Sequence, residues 1–216
     1  MDSKYLNTMN IPSELLDEIQ HNIEEIISNF DVPTDNKMDV IRKINFIYSQ
    51  SKYLSITDEL TGLYNRRHFE SNFEREFLRA KRYNSNLSVA IVDIDFFKQI
   101  NDKYGHLTGD FVLRELAFIL KDSLRKTDMV FRYGGEEFAI LLTETDSEQS
   151  LIPLERLRKY IETKTFVKSG NSVEFTVSIG VSSNIIETNT PDELLELADK
   201  ALYKAKNSGR NQVVVN

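Results

Sequence analysis

Asp128 to Leu142 reads DMVFRYGGEEFAILL, two runs of apolar, β-branched and aromatic residues around a pair of glycines and a pair of glutamates. Runs of this kind joined by a short glycine turn predict a β-hairpin. Its tip carries Gly134, Gly135, Glu136 and Glu137. The glycines are expected to supply positive φ and a backbone that a ligand can approach closely. The two glutamates are either solvated turn acids or hard oxygen donors aimed out of the end of a sheet.

The neighbouring segments decide what the hairpin belongs to. Leu87 to Ile94, LSVAIVDI, is apolar on both faces and rich in β-branched residues, so it predicts a central strand covered by other elements. It too ends in acid, at Asp93. A helix with Leu113, Leu116, Ala117, Leu120 and Leu124 on its inner face follows NDKYGHLTG. Another helix is expected over about Glu148 to Glu162, and a further strand within VEFTVSIGVSS. Thr190-Pro191-Asp192-Glu193 has the form of a capping box with proline at the first helical position, and opens a last helix ending near Gly209. Asn65 is a candidate cap for a helix that buries Phe69, Phe73, Phe77 and Ala80. This order predicts an α+β domain: a central, mainly antiparallel five-stranded sheet flanked by helices, with the acid-tipped strand beside the acid-tipped hairpin.

Ahead of that domain, Leu15, Ile19, Ile23, Ile26, Ile27 and Phe30 recur at helical spacing from Ser13 until Val32-Pro33 breaks the pattern. A second helix from about Asn36 places Val40, Ile44, Ile47, Ser51 and Leu54 on a heptad seam. The seam fits a short parallel dimer or, alternatively, one amphipathic helix packed on its own chain. The expected division is residues 1–56 as an N-terminal helical, signalling and dimerisation segment, and residues 57–216 as the principal domain.

Composition narrows the function. The 216 residues are 40% hydrophobic and carry 27 Lys and Arg against 34 Asp and Glu, a net charge of -7. That balance disfavours extended DNA or RNA binding, which calls for a basic face, but leaves room for a small anionic ligand held with metal. No cysteine occurs, which excludes thiolate metal sites and disulfides and points to the cytoplasm. No segment reads as a signal peptide or membrane span.

Asp93 and Glu136, brought side by side, would suit Mg²⁺, which takes hard oxygen ligands and completes its shell with phosphate oxygens and water. Asp95 shares the strand face of Asp93 by the period of two and is either a further ligand or a hydrogen-bonding group that closes the following turn. Asp110, just before FVLREL, reads on its own as a helix N-cap, and its carboxylate only accepts hydrogen bonds.

The chain resembles the GGDEF-domain family, the diguanylate cyclases, from about Thr57 to its end. The resemblance rests on DELTGLYNRRHF at Asp58 to Phe69, VDIDFFKQINDKYGHLTGD at Val92 to Asp110, RYGGEEF at Arg132 to Phe138, SIGVS at Ser178 to Ser182 and ADKALYKAKNSGRN at Ala198 to Asn211. It implies a sheet-and-helix fold similar to the palm of nucleotide polymerases, and condensation of two GTP molecules into cyclic di-GMP with release of two pyrophosphates. It implies Asp93, Glu136 and the backbone carbonyl of Ile94 as ligands of two Mg²⁺ ions, with Mn²⁺ as a substitute. Glu136 and Glu137 become the catalytic carboxylates. Asn101 and Asp110 would read guanine, while Lys98, Lys206 and Arg210 would hold the triphosphate, with Arg132 a further candidate there. His106 is assigned no catalysis. Arg125-Lys126-Thr127-Asp128 matches the family's RxxD product site, so Arg125 and Asp128 are expected to bind cyclic di-GMP as an inhibitor. Cyclisation implies a homodimer. Two rivals remain: an inactive cyclic di-GMP receptor, disfavoured by the retained glycines and acids, and a cyclase for a mixed guanine–adenine dinucleotide, disfavoured by Asp110.

Overall fold

The computed structural model describes Arg42, Ile44, Asn45 and residues 55–168, 170–183 and 188–216. The chain divides into two compact units, Met1–Ser55 and Ile56–Asn216. In the first, Arg42, Ile44 and Asn45 are helical; the predicted Ser13–Phe30 helix and the seam positions Val40, Ile47, Ser51 and Leu54 lie outside the described residues.

The second unit runs β1 (Tyr64–Asn65), α1 (Arg66–Tyr83), β2 (Leu87–Ile94), α2 (Phe97–Tyr104), α3 (His106–Ser123), β3 (Met129–Arg132), β4 (Glu137–Thr143), α4 (Ser147–Thr163), β5 (Phe166–Lys168), β6 (Asn171–Val173), β7 (Val177–Ser182), α5 (Pro191–Asn207) and β8 (Val213–Val215). The main sheet has the order β1-β3-β4-β2-β7-β8. Its four central strands are antiparallel, as expected, with β2 between β4 and β7. The sheet has six strands rather than five, because β1 adds parallel to β3 and β8 parallel to β7 at the two edges. Both edge strands are too short to leave a period-two signature.

Every residue of β2 is buried, and the alternation of its side chains divides the core. Ala90, Val92 and Ile94 face Phe97 and Ile100 of α2, Val112 and Leu116 of α3, and Leu154 and Leu157 of α4. Val89 and Ile91 face Phe69, Phe73 and Phe77 of α1 and Leu194, Ala198 and Leu202 of α5. Burying each such side chain contributes about 1.5–3 kcal/mol, so the sheet is clamped from both sides. Asn65 caps α1 by accepting from His68 N–H. Thr190 caps α5 likewise, but the return arm of Glu193 reaches Asn189 N–H at 2.7 Å rather than Thr190.

The predicted VEFTVSIGVSS strand is broken in two. Its start pairs in a separate β5–β6 hairpin, and β7 joins the main sheet. The break falls at Glu174–Thr176, where Thr176 turns to Asp95, its carbonyl accepting from Asp95 N–H at 2.9 Å. Gly180 in β7 has no room for a side chain: a Cβ there would collide with the backbone of Ala198 and Leu202. The glycine therefore sets how closely α5 lies on the sheet.

Candidate active site

β2 and β4 are in register with Asp93 opposite Glu137, so these carboxylates share the sheet face covered by α1 and α5. Glu136 belongs to the connection immediately before β4. The hairpin closes when Tyr133 and Gly134 N–H both donate to the Glu137 carbonyl, at 2.8 and 3.0 Å. Neither Gly134 nor Gly135 has positive φ, contrary to the sequence expectation. A Cβ on Gly134 would stand 2.7 Å from Glu137 Oε2 and force that carboxylate to shift, whereas a Cβ on Gly135 would meet nothing.

Asp93 and Glu136 lie close enough to act on each other electrostatically. Burial pushes the Glu136 carboxyl above its ordinary pKa, and the charge of Asp93 adds to the rise. Burial likewise raises Asp93, with Glu137 and Asp95 adding to it, although the Lys206 ammonium pulls the other way. Lys206, on the last turn of α5, places Nζ 2.7 Å from Asp93 Oδ2. A cation predicted for phosphate thus sits on a carboxylate predicted for metal. Three acids crowded at the end of one sheet favour positive charge there.

Asp95 is a turn-closing group. It is buried and accepts from Thr176 Oγ1 at 2.7 Å, Ser178 Oγ at 2.7 Å and Asn211 N–H at 3.0 Å. The next residue, Phe96, is left-handed with φ 56° and half exposed, and the Arg210 guanidinium stacks over its ring at 4.4 Å. Arg210 therefore lies near the acid-tipped end of β2. Arg132, by contrast, is committed elsewhere: Nη1 reaches both carboxylate oxygens of Asp58 at 3.0 Å and Nη2 the Gly135 carbonyl at 2.9 Å. It ties the hairpin tip to the start of the unit.

Asn101 lies on α2 and Asp110 on α3, which begins at His106 with Gly105 at its cap. Asp110 is thus not the N-cap that was its alternative reading. Gly109 brings the two helices together, since a Cβ there would overlap the Asn101 side chain. Lys98 is exposed on α2. Arg125 and Asp128 form a tight turn, Arg125 N–H donating to Asp128 Oδ2 and Asp128 N–H to the Arg125 carbonyl, both at 3.0 Å. Burial raises the Asp128 pKa, and its Oδ1 is buried without a protein partner. Arg156 of α4, which sequence reasoning did not single out, reaches the same corner by donating to the Ser123 carbonyl at 2.9 Å. No sequence signal linked it to Arg125.

Among the described residues no group of three or more His, Asp or Glu side chains forms a ready-made metal cage. Asp93, Glu136 and the Ile94 carbonyl are all hard oxygen donors, a set that suits an ion retaining water and substrate oxygens. The family model for the diguanylate cyclase GGDEF domain matches residues 55–212. The chain belongs to this GGDEF family. It is 44% identical over 163 residues to the response regulator PleD of Caulobacter vibrioides, covering 74% of this chain and 36% of that protein. It is 43% identical over 157 residues to diguanylate cyclase DosC of Escherichia coli K12, covering 72% and 34%. It therefore spans about a third of the length of these curated relatives. Among solved structures, the coiled coil and GGDEF domain of DgcB from Caulobacter crescentus in complex with c-di-GMP matches with TM-score 0.78 and 27% identity, over 84% of this chain and 96% of that one. The active GGEEF domain of a diguanylate cyclase from Vibrio cholerae matches with TM-score 0.66 and 36% identity, over 70% and 96%. The mainly antiparallel, helix-flanked GGDEF fold is shared. No described helix is long and apolar enough to cross a membrane.

Proposed function

We propose that the protein is a diguanylate cyclase that joins two GTP molecules into cyclic di-GMP, acting as a two-fold dimer with two Mg²⁺ ions per active site. The observation that carries this reading is the convergence of Asp93, Glu136 and Glu137 at one end of the sheet, with the Lys206 ammonium already drawn to Asp93.

Each 3′-hydroxyl attacks the α-phosphate of the other GTP. A new O–P bond forms, the bridging bond to the β-phosphate breaks, pyrophosphate leaves, and the hydroxyl proton passes to a base. Asp93, Glu136 and the Ile94 carbonyl are the residues to hold divalent ions, which when bound polarise the phosphate and lower the pKa of the attacking hydroxyl. Glu136 is the candidate proton acceptor. Glu137 is held by the hairpin closure and supports the charge of the site. Lys206 and Arg210 take the departing phosphates, Lys206 exchanging Asp93 for the triphosphate, and Lys98 adds a further positive charge. Asn101 and Asp110, brought close by Gly109, read the guanine edge. The turn at Arg125 and Asp128, with Arg156 beside it, offers arginine forks to cyclic di-GMP as an inhibitory product.

The reading is tested by incubating the protein with equal GTP and ATP and with Mg²⁺, then identifying products by mass spectrometry. Cyclic di-GMP as the sole cyclic product supports it. A mixed guanine–adenine ring overturns the specificity, and binding of cyclic di-GMP without any synthesis makes the protein a receptor.

A further inference from the structure

The loop between α5 and β8 holds an unusual backbone. Gly209, Arg210 and Asn211 have φ of 111°, 64° and 46° in succession, and the last two are not glycine. Left-handed conformation costs a side-chain-bearing residue energy and persists only where surroundings over-determine it. Asparagine tolerates it better than arginine does.

The over-determination comes mainly through Asn211. Its N–H donates to Asp95 Oδ2 at 3.0 Å, tying it to the end of β2. Its side chain is gripped from α4, where Arg158 Nη1 donates to Asn211 Oδ1 at 2.8 Å and Asn211 Nδ2 donates to Glu162 Oε1 at 2.7 Å. Arg158 is itself buried and fixed by Glu162 at 2.9 Å and Glu155 at 3.0 Å. The residue so pinned follows directly after Arg210, whose N–H is held by the Ala205 carbonyl at 3.0 Å and whose guanidinium rests on Phe96. A charged network centred on the buried Arg158 of α4 therefore terminates in the backbone angle that aims Arg210.

We propose that Arg158 and Asn211 are positioning residues for phosphate recognition: the Arg158–Glu162–Asn211 clamp imposes the left-handed pair and thereby presents Arg210 to the polyphosphate of the nucleotide. The inference rests on the reading of Arg210 as a phosphate ligand. Pre-placing the guanidinium spares its ordering on binding, which is where a positioning residue contributes.

Asn211→Gly separates positioning from folding, since glycine accepts the left-handed backbone without strain and keeps an N–H for Asp95, but loses the side-chain clamp that holds the chain in that one conformation. Binding of α,β-methylene-GTP with Mg²⁺, and separately of GMP, is measured by calorimetry for wild type, Asn211→Gly, Arg158→Met, Arg210→Ala and the Arg210→Ala/Asn211→Gly double variant. The expected result is about tenfold weaker binding of the triphosphate analogue in Asn211→Gly and Arg158→Met, the scale of one charge-assisted hydrogen bond, with GMP affinity unchanged. The double variant should bind no more weakly than Arg210→Ala alone, because the clamp acts through that residue. If Arg158→Met does not fold, Asn211→Gly decides. Wild-type analogue binding by Asn211→Gly, or equal weakening of analogue and GMP, overturns the clamp. Wild-type analogue binding by Arg210→Ala overturns the phosphate role of Arg210, and the clamp with it.

Discussion

Glu136, the proposed proton acceptor, sits where its charge costs the fold. Its folded pKa lies above the ordinary 4.5, with burial the first cause, so without metal its ionised form is disfavoured in the native state relative to the unfolded chain. Stability falls as pH rises through the folded pKa and stays lower above it. In EDTA at pH 7, Glu136→Gln should therefore raise the thermal midpoint, and the gain should vanish on acidification below the ordinary value, where both states are protonated. Equal midpoints at neutral pH would show that the carboxylate is not under electrostatic pressure. Asp110 makes a separate prediction. If Asp110 reads guanine as proposed, Asp110→Ser removes the acceptor that opposes adenine; an unpaired guanine donor costs about 1–3 kcal/mol, so discrimination between GTP and ATP should fall roughly ten- to a hundred-fold. Competition assays with both nucleotides read it directly, and unchanged discrimination would place guanine selection elsewhere.

At the scale of elements, the packing of α5 on β7 carries Lys206 to Asp93, and Gly180 is the contact that permits it. Gly180→Ala forces the helix away from the sheet. Overpacking of that kind costs about 1–3 kcal/mol; thermal melting should show a clear loss of stability, and nucleotide affinity should fall with it. A variant with wild-type melting and affinity would mean the helix is not held by this contact. The main elements were legible because their signals are local: LSVAIVDI could only be a central strand, and DMVFRY and FAILL around a glycine turn could only pair with each other. The neighbourhood of Asp93 and Glu136 followed from that order. What stayed illegible was tertiary. The edge strands β1 and β8 are too short to show a period, the break at Thr176 depends on its bond to Asp95, and neither hairpin glycine takes positive φ. Nothing in the spacing of Lys206 and Asp93, or of Arg158 and Asn211, foretells that they meet.

For the whole molecule, the proposed ring closure from two GTPs sets a requirement. If one domain offers one site, that reaction needs two sites facing each other about a two-fold axis. The heptad seam before the domain is the candidate for holding two chains together; of it only Ile44 lies among the described residues, helical and half-buried. Ile44→Asp with Ile47→Asp would set like charges across that seam. Activity per molecule should then become strongly dependent on protein concentration and recover as concentration rises, whereas a double variant matching wild type in light scattering and activity at every dilution would place dimerisation elsewhere. The central claim, that the carboxylates at the end of the sheet carry out the condensation, is tested most directly by the turnover of Glu136→Gln and Asp93→Asn with GTP and Mg²⁺, each checked by circular dichroism for an intact fold. Each substitution preserves shape and removes one charge, and the account predicts that cyclic di-GMP synthesis falls by orders of magnitude in both. Wild-type turnover in either folded variant would contradict it.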